Sequence, residues 1–298
     1  MHGVLYPGKL SLLGGFLRRL AMPEKTRRRI GAIGLTLGLV ALMLILILTA
    51  LHDVGTDGAL YHRLQLAAWR TGPADPAGIS DEDLQRLDGE LAKYLAGQQN
   101  ELLWPSESEP GTYTVMPLEI WGELKPAFNE REVAHLVDCF NLFELLRRVR
   151  RRLVPWAVLL IVGGAYLMRD RRRARRCAWI APLALLIPLG AFALWAAFDF
   201  DGAFTFFHRV LFTNDLWLLD PRTDLLIRIC PESMFMAMGR MIALRGLIAL
   251  AGVPALALAM TILWPKEKKS EENRWNDNRA TRRASAQRRK TFDVKGRR

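Results

Sequence analysis

From Ile30 to Leu51 the chain carries no charged residue. At about 1.5 Å per residue such a run makes a helix about 33 Å long, enough to cross a hydrocarbon core about 30 Å thick. It is too long for an ordinary signal-peptide core. The basic flank Lys25, Arg27, Arg28 and Arg29 suits a signal or an anchor equally, but the length, without a small-residue cleavage site, assigns a retained anchor.

Three further apolar runs follow. Leu153 to Met168 is short, and spans only if Leu145 or Leu146 onward also enters the membrane or the bilayer thins around it. Ala178 to Phe198 is clean. So is Gly246 to Trp264, with Met234 to Arg245 as its polar-decorated end. The chain is 51% apolar yet carries 42 Lys plus Arg against 30 Asp plus Glu, a net charge of +12, so charge and apolarity are segregated into blocks. The fold class expected is an all-α polytopic membrane protein with four transmembrane helices, at 30–51, 153–168, 178–198 and 234–264.

Orientation follows from the bias of Lys and Arg toward the cytoplasm. The loop 169–177 holds six arginines. The N-terminal segment 1–29 is basic, and Lys266 to Arg298 holds 13 basic against 5 acidic residues. Both termini are therefore expected in the cytoplasm, and the segments 52–152 and 199–233 are expected to be extracytoplasmic. The tail 265–298 is too poor in apolar residues to bury a core and is expected to be disordered on anionic lipid, with no nucleic-acid role. Against the pattern, Arg147, Arg148, Arg150, Arg151 and Arg152 precede the second span on the outer side. They are read as an amphipathic lead-in touching lipid phosphates.

The first outer segment opens with Leu60, Leu64, Leu66 and Ala67 at helical spacing, broken by the Pro and Gly rich stretch Gly72 to Gly78. Ser80 with Asp83 three positions on, ahead of Leu84, Leu87, Leu91 and Leu95, predicts a capped amphipathic helix ended by Gly97. Between Asn100 and Ile120 a small hairpin is one reading. A second helix begins near Phe128-Asn129-Glu130, and its spacing puts Glu132, His135 and Asp138 or Cys139 along one polar face that leads into the membrane. The second outer segment is aromatic, with Phe206, Phe207, Phe212 and Trp217 at interfacial depth. It nonetheless carries His208, Asn214, Asp215 and Asp220, with Asp224 as a candidate helix cap. Polar groups at such a depth are costly unless paired or working.

Two histidines on separate outer segments, each beside carboxylates, point to proton transfer, since imidazole both accepts and donates near pH 7. Spacing leaves an alternative open: Glu132, His135, Cys139 and His208 offer a zinc set for a lipid amidase or esterase. A non-enzymatic membrane scaffold is the third reading. Cys139 and Cys230, both on outer segments, either pair as a disulfide or remain separate thiols. Gly34, Gly38, Gly163 and Gly164 permit close helix packing. Arg240 and Arg245, at the outer end of the fourth span, either snorkel or hold a lipid phosphate or a substrate's polar head.

The stretch Phe128-Asn-Glu-Arg-Glu-Val-Ala-His135-Leu-Val-Asp138, the stretch Phe207-His208-Arg-Val-Leu-Phe-Thr-Asn214-Asp215-Leu-Trp217-x-Leu-Asp220-Pro and the following Cys230-Pro231-Glu232 resemble the lipoprotein intramolecular transacylase family of four-span membrane proteins. The resemblance runs from about Leu35 to Leu263. It implies that the sn-2 acyl chain of an S-diacylglyceryl N-terminal cysteine moves to that cysteine's own α-amino group, giving a lyso-form lipoprotein without a metal or other cofactor. Diacylated lipoproteins and membrane lipid are the implied partners, and the bacterial cytoplasmic membrane the implied location, with the site on its outer face.

The resemblance also implies that His135 and His208 share the acid and base roles. Asp138, Asn214, Asp215 and Glu132 are expected to support them, and Trp217, Asp220, Arg240 and Arg245 to contact substrate. Where the family's motif has Val, this chain has Cys139, which argues against that thiol as nucleophile or ligand.

Overall fold

The computed structural model describes residues 22–71, 78–99, 103–105, 113–115, 117–120 and 123–263, with the isolated positions 279 and 281. Most of the basic N-terminal segment, most of the break after Gly72, much of the 100–122 region and nearly all of the basic tail lie outside the described residues. Two compact units, residues 1–258 and 259–298, divide the chain, and the site lies in the first. Four helical stretches are long and apolar enough to cross a membrane: Glu24–Val54, Glu130–Met168, Arg171–Phe198 and Glu232–Ala259. The chain is an all-α, multi-pass membrane protein.

Helix α1 (Glu24–Val54) buries Leu35, Leu39, Met43, Ile47, Ala50 and Val54 at spacings of three and four, one stripe of a 3.6-residue repeat. That stripe packs on the long helix that carries the second span, α4 (Glu130–Met168). The approach is close enough that a Cβ added at Gly31 would meet Met168 and Gly164, and one at Gly38 would meet Ile161. Small residues therefore set this crossing, as expected of membrane helix pairs. Of the four glycines read from the sequence, Gly38 and Gly164 are at the tight contact, whereas Gly163 faces open space.

Outside the spans, α2 (Gly58–Thr71) and α3 (Asp81–Leu95) build a separate core. Ser80 caps α3 by accepting from the Asp83 amide, and Leu84, Leu87, Leu91 and Leu95 are buried, as the spacing predicted. Gly97, at φ +71°, ends the helix in the left-handed region that favours glycine. The expected hairpin region holds two two-stranded antiparallel pairs: β1 (Leu103–Pro105) with β2 (Tyr113–Val115), and β3 (Pro117–Ile120) with β4 (Glu123–Pro126). Arg147, read from the sequence as lipid-facing, instead donates to the Leu95 carbonyl and pairs with Glu144 at 2.9 Å. It satisfies an orphan carbonyl at the C-terminus of α3 and ties that helix to α4.

The short second span has a simple resolution. It is not a separate helix, because α4 runs unbroken for 39 residues through Pro155, carrying His135 near one end and the apolar run at the other. Arg169 closes it in a left-handed conformation, φ 44°. The arginine-rich loop is largely helical too: Asp170 caps α5 (Arg171–Ile180) by accepting from the Arg173 amide, and arginine is a good helix former. A turn at Ala181–Pro182 leads to α6 (Leu183–Phe198), which buries none of its residues within the chain.

The first part of the aromatic segment is also helical. Asp199 caps α7 (Phe200–Leu211), accepting from the Gly202 amide. Phe206, Phe207, Val210 and Leu211 of α7 are exposed while His208 is buried. An inverted face of this kind suits a helix lying in the membrane interface. The short α8 (Leu225–Ile229) then leads into α9 (Glu232–Leu263).

Candidate active site

His135 lies on the second turn of α4, and the start of that helix is doubly fixed. Asn129 caps it by accepting from the Glu132 amide, and Glu132 returns its carboxylate to the Asn129 amide at 2.8 Å. The other oxygen of Glu132 accepts from the Leu226 amide at the start of α8. Glu132 is 1% exposed and spent entirely on backbone donors. It anchors α8 to α4 from the helix face that spacing had assigned to it beside His135.

Three more ties hold the segment after α7 against the first turns of α4. Asn214 donates to Asp138 at 2.8 Å, Arg131 donates to the Asp215 carbonyl at 2.6 Å, and Asn129 donates to Asp224 at 2.9 Å. Asp224 also accepts from the Asp220 amide at 2.7 Å. Asp224 occupies the N-cap position of α8, as the sequence suggested, but its side chain makes no capping hydrogen bond and closes the 220–224 turn instead. The result is to bring His208, at the end of α7, opposite His135. Their ring centroids are 6.1 Å apart.

Both imidazoles are buried, at 7% and 8% exposed. Phe212 lies against both, 5.2 Å from His135 and 5.7 Å from His208. Trp217 and Phe204 pack on His208, at 4.9 and 4.0 Å. The rings thus meet in an apolar box, where water is scarce and electrostatic interactions are strong.

The nitrogens are not equivalent. His208 Nδ1 is 2.8 Å from the Phe204 carbonyl. A carbonyl only accepts, so Nδ1 carries hydrogen, and in the neutral ring the lone pair falls on Nε2. Burial holds His208 below its ordinary value near 6.5, against the raising effect of that hydrogen bond. On His135, Nε2 is 3.6 Å from Cys139 Sγ, while the buried Nδ1 has no partner among the described residues.

A groove of about 240 Å³ lies on the far side of Phe212, which packs against both rings; neither histidine lines it. Asp138, Asn141, Thr213 and Asn214 form its polar part, and Leu142, Leu145, Leu211 and Phe212 its apolar part. An amphiphile needs both.

The remaining expected residues sort clearly. Trp217 is at the site, and Asp215 contributes its backbone. Asp220 is a half-buried partner of Arg222 at 2.6 Å. Arg240 and Arg245 are exposed on α9 and contact neither histidine among the described residues. Cys139 and Cys230 are free thiols flanking the core of α2, α3 and α8. The zinc set suggested by spacing does not assemble, because Glu132 is turned to the backbone, and no other metal-sized group of His, Cys, Asp or Glu forms among the described residues. The sequence reading missed Phe204, Arg131 and Asn129. Phe204 was within reach, lying one helical turn before His208.

Comparison with known proteins adds the following. The family model described as lipoprotein intramolecular transacylase Lit matches residues 26–235, well over half of the chain. Among solved structures, the membrane-integral lipoprotein intramolecular transacylase Lit from Bacillus cereus is similar at 21% identity and a TM-score of 0.46, covering 80% of this chain and 93% of that one. A variant of that protein with one histidine changed to arginine aligns at 21% identity and a TM-score of 0.46, covering 85% and 95%. No curated protein matches the chain.

Proposed function

The chain belongs to the lipoprotein intramolecular transacylase family and is an acyltransferase, and from that membership we propose its reaction: migration of the sn-2 acyl chain of an S-diacylglyceryl cysteine to the same cysteine's α-amino group. Donor ester and acceptor amine sit on one molecule, so the enzyme's first contribution is to hold them in a reactive geometry. The amine nitrogen attacks the ester carbonyl, an N–C bond forms, the acyl C–O bond breaks, and the glyceryl oxygen leaves with a proton. Catalysis therefore needs a base for the amine proton, a donor for the developing oxyanion and an acid for the leaving oxygen.

His208 is the base in this reading, and the proton its Nε2 takes from the amine is the one it returns to the leaving glyceryl oxygen. Its Nδ1–H is committed to the Phe204 carbonyl, which leaves the Nε2 lone pair for the amine. His135 is the donor. A ring nitrogen is a far better acceptor than sulfur, so in this reading the Cys139 S–H donates to Nε2 and the unpartnered Nδ1 carries the hydrogen that is offered to the carbonyl. Cys139 thereby acts as a positioning residue, in a place where the family's usual valine cannot. The groove beside Asp138 and Asn214 suits an amphiphilic substrate, its acidic end fitting a cationic amine. The outer face of the cytoplasmic membrane is the proposed location of the site, with diacylated lipoproteins as partners.

The observation that carries this reading is the 6.1 Å pairing of two buried imidazoles, His208 with Nδ1 on a carbonyl and His135 with Nδ1 free of a partner among the described residues. A synthetic S-dipalmitoylglyceryl cysteine peptide tests it. The free-amine peptide is expected to become N-acyl and S-monoacylglyceryl, and its α-N-acetylated counterpart to remain unchanged. Loss of the sn-2 chain from the acetylated peptide would mean that water, not the amine, is the acceptor.

A further inference from the structure

We propose that two arginine pairs, Arg148 with Arg152 on α4 and Arg240 with Arg245 on α9, each dock anionic phospholipid at the membrane boundary on the histidine side. On α4, Glu144 is the single acid among the five arginines 147–152, and it is shared: Arg147 at 2.9 Å, Arg151 at 3.6 Å and Arg148 at 3.7 Å all draw on it. Arg152 has no carboxylate partner among the described residues, and Arg148 and Arg152 are exposed one helical turn apart. The next turn on that face presents Trp156, 60% exposed, followed by exposed Leu159 and Val162. Such an order, cation then tryptophan then aliphatics, traces the passage from headgroup to hydrocarbon.

Helix length fits the same boundary. Arg152 and Arg169 bracket the apolar part of α4 and stand about 25 Å apart along it at about 1.5 Å per residue. That is short of a core about 30 Å thick, and flexible arginine stems reaching outward make up the difference. On α9, Arg240 and Arg245 are exposed just before the apolar stretch that starts at Gly246, with Leu244, Leu247 and Ile248 exposed around Arg245. The sole acid in that helix is Glu232, two turns before Arg240. Neither arginine has a carboxylate partner among the described residues.

Exposed guanidiniums flanked by lipid-facing side chains call for an anion at headgroup depth. The diacylglyceryl cysteine of the proposed reaction, on which this step rests, carries no phosphate, and its α-ammonium is itself cationic. The headgroup phosphate of a phospholipid is the anion of the right charge and geometry for a guanidinium fork. These arginines thus hold the site's side of the protein on anionic lipid and are not contacts for the reacting cysteine.

The test is lipid retention, which is independent of activity. The full chain, equilibrated with an equimolar mixture of phosphatidylglycerol and phosphatidylcholine in nanodiscs and then released into mild detergent, is expected to retain phosphatidylglycerol about tenfold over the bulk ratio, read by native mass spectrometry. Arg148→Gln/Arg152→Gln and Arg240→Gln/Arg245→Gln should each lower that enrichment about fivefold. The matching Lys pairs should keep most of it, and Arg86→Gln on the extramembrane helix α3 should change nothing. Equal retention of the two lipids by the unaltered chain, or unchanged enrichment in both Gln pairs, would overturn the proposal. Should a Gln pair not fold, raising salt from 50 to 500 mM with the unaltered chain decides the matter, since retention that does not fall is inconsistent with an ionic surface.

Discussion

Asn214 donates a hydrogen bond to Asp138 across 2.8 Å, joining residues 76 apart in sequence, one of them a turn past His135 and the other six positions past His208. Asp138 sits one turn past His135 on α4, and Asn214 lies just after α7 ends. The bond therefore reports directly on the distance between the two imidazoles, and it forms the polar end of the groove.

Replacing either partner should loosen that spacing more than it destabilises the protein. The bond is exposed, and exposed hydrogen bonds contribute about 0.5–1.5 kcal/mol. Asn214→Ala and Asp138→Ala are expected to lower the transacylation rate about tenfold while thermal unfolding in detergent shifts by only a few degrees. Rates within twofold of the unaltered enzyme would remove this pair from the account.

The proposed role of Cys139 rests on its thiol hydrogen rather than its volume. In ¹⁵N-histidine spectra the neutral His135 ring should be mostly Nδ1-protonated, and Cys139→Val should shift it toward the Nε2-protonated form. Cys139→Ser, a stronger donor of similar size, should restore the Nδ1–H form and the rate, with Val lowering the rate about fivefold. An identical tautomer in all three proteins would show that the thiol merely packs.

Burial pulls His208 below its ordinary value near 6.5, outweighing the raising effect of the Phe204 carbonyl. The neutral ring is the working form of a base, so lowering extends activity toward acid. Followed by ¹⁵N-histidine spectra in the substrate-free enzyme, the His208 ring should accordingly titrate with its midpoint below pH 6.5. A midpoint at or above 6.5 would show that burial does not hold the ring neutral.

Glu132 is structural on this account. Its buried carboxylate receives the Asn129 and Leu226 amides, and its loss leaves two buried donors unsatisfied. Glu132→Ala should cost about 2–4 kcal/mol of stability and reduce the yield of folded protein, whereas Glu132→Gln, which keeps acceptor oxygen for one donor, should cost less and retain activity in the folded fraction. Inactive but fully stable Glu132→Gln would point to a proton-transfer role instead.

Much of this was legible in the sequence because membrane helices announce themselves through uncharged length, and α3 through its Ser80 cap and leucine spacing. The two histidines were legible as polar groups at a costly depth. Less visible was what joins them. Arg131 bonds a backbone carbonyl, Glu132 bonds backbone amides, and Asp224 closes its own turn, and such side chain to backbone ties leave no periodic signature. Local charge also misled: Arg147 looked like part of a lipid-facing cluster, yet the helix turns it inward to the Leu95 carbonyl. The unbroken α4 was hidden because its arginines interrupt the apolar run without interrupting the helix.

The central claim is tested most directly by expressing the chain in a bacterium whose lipoproteins are diacylated, and locating the acyl chains on their N-terminal cysteines by mass spectrometry. N-acyl, S-monoacylglyceryl cysteines are expected with the unaltered chain, and S-diacylglyceryl cysteines with free amines are expected with folded His135→Ala or His208→Ala. Lipoproteins that stay S-diacylated despite good expression of the unaltered chain, or that are N-acylated equally by both histidine variants, would contradict it.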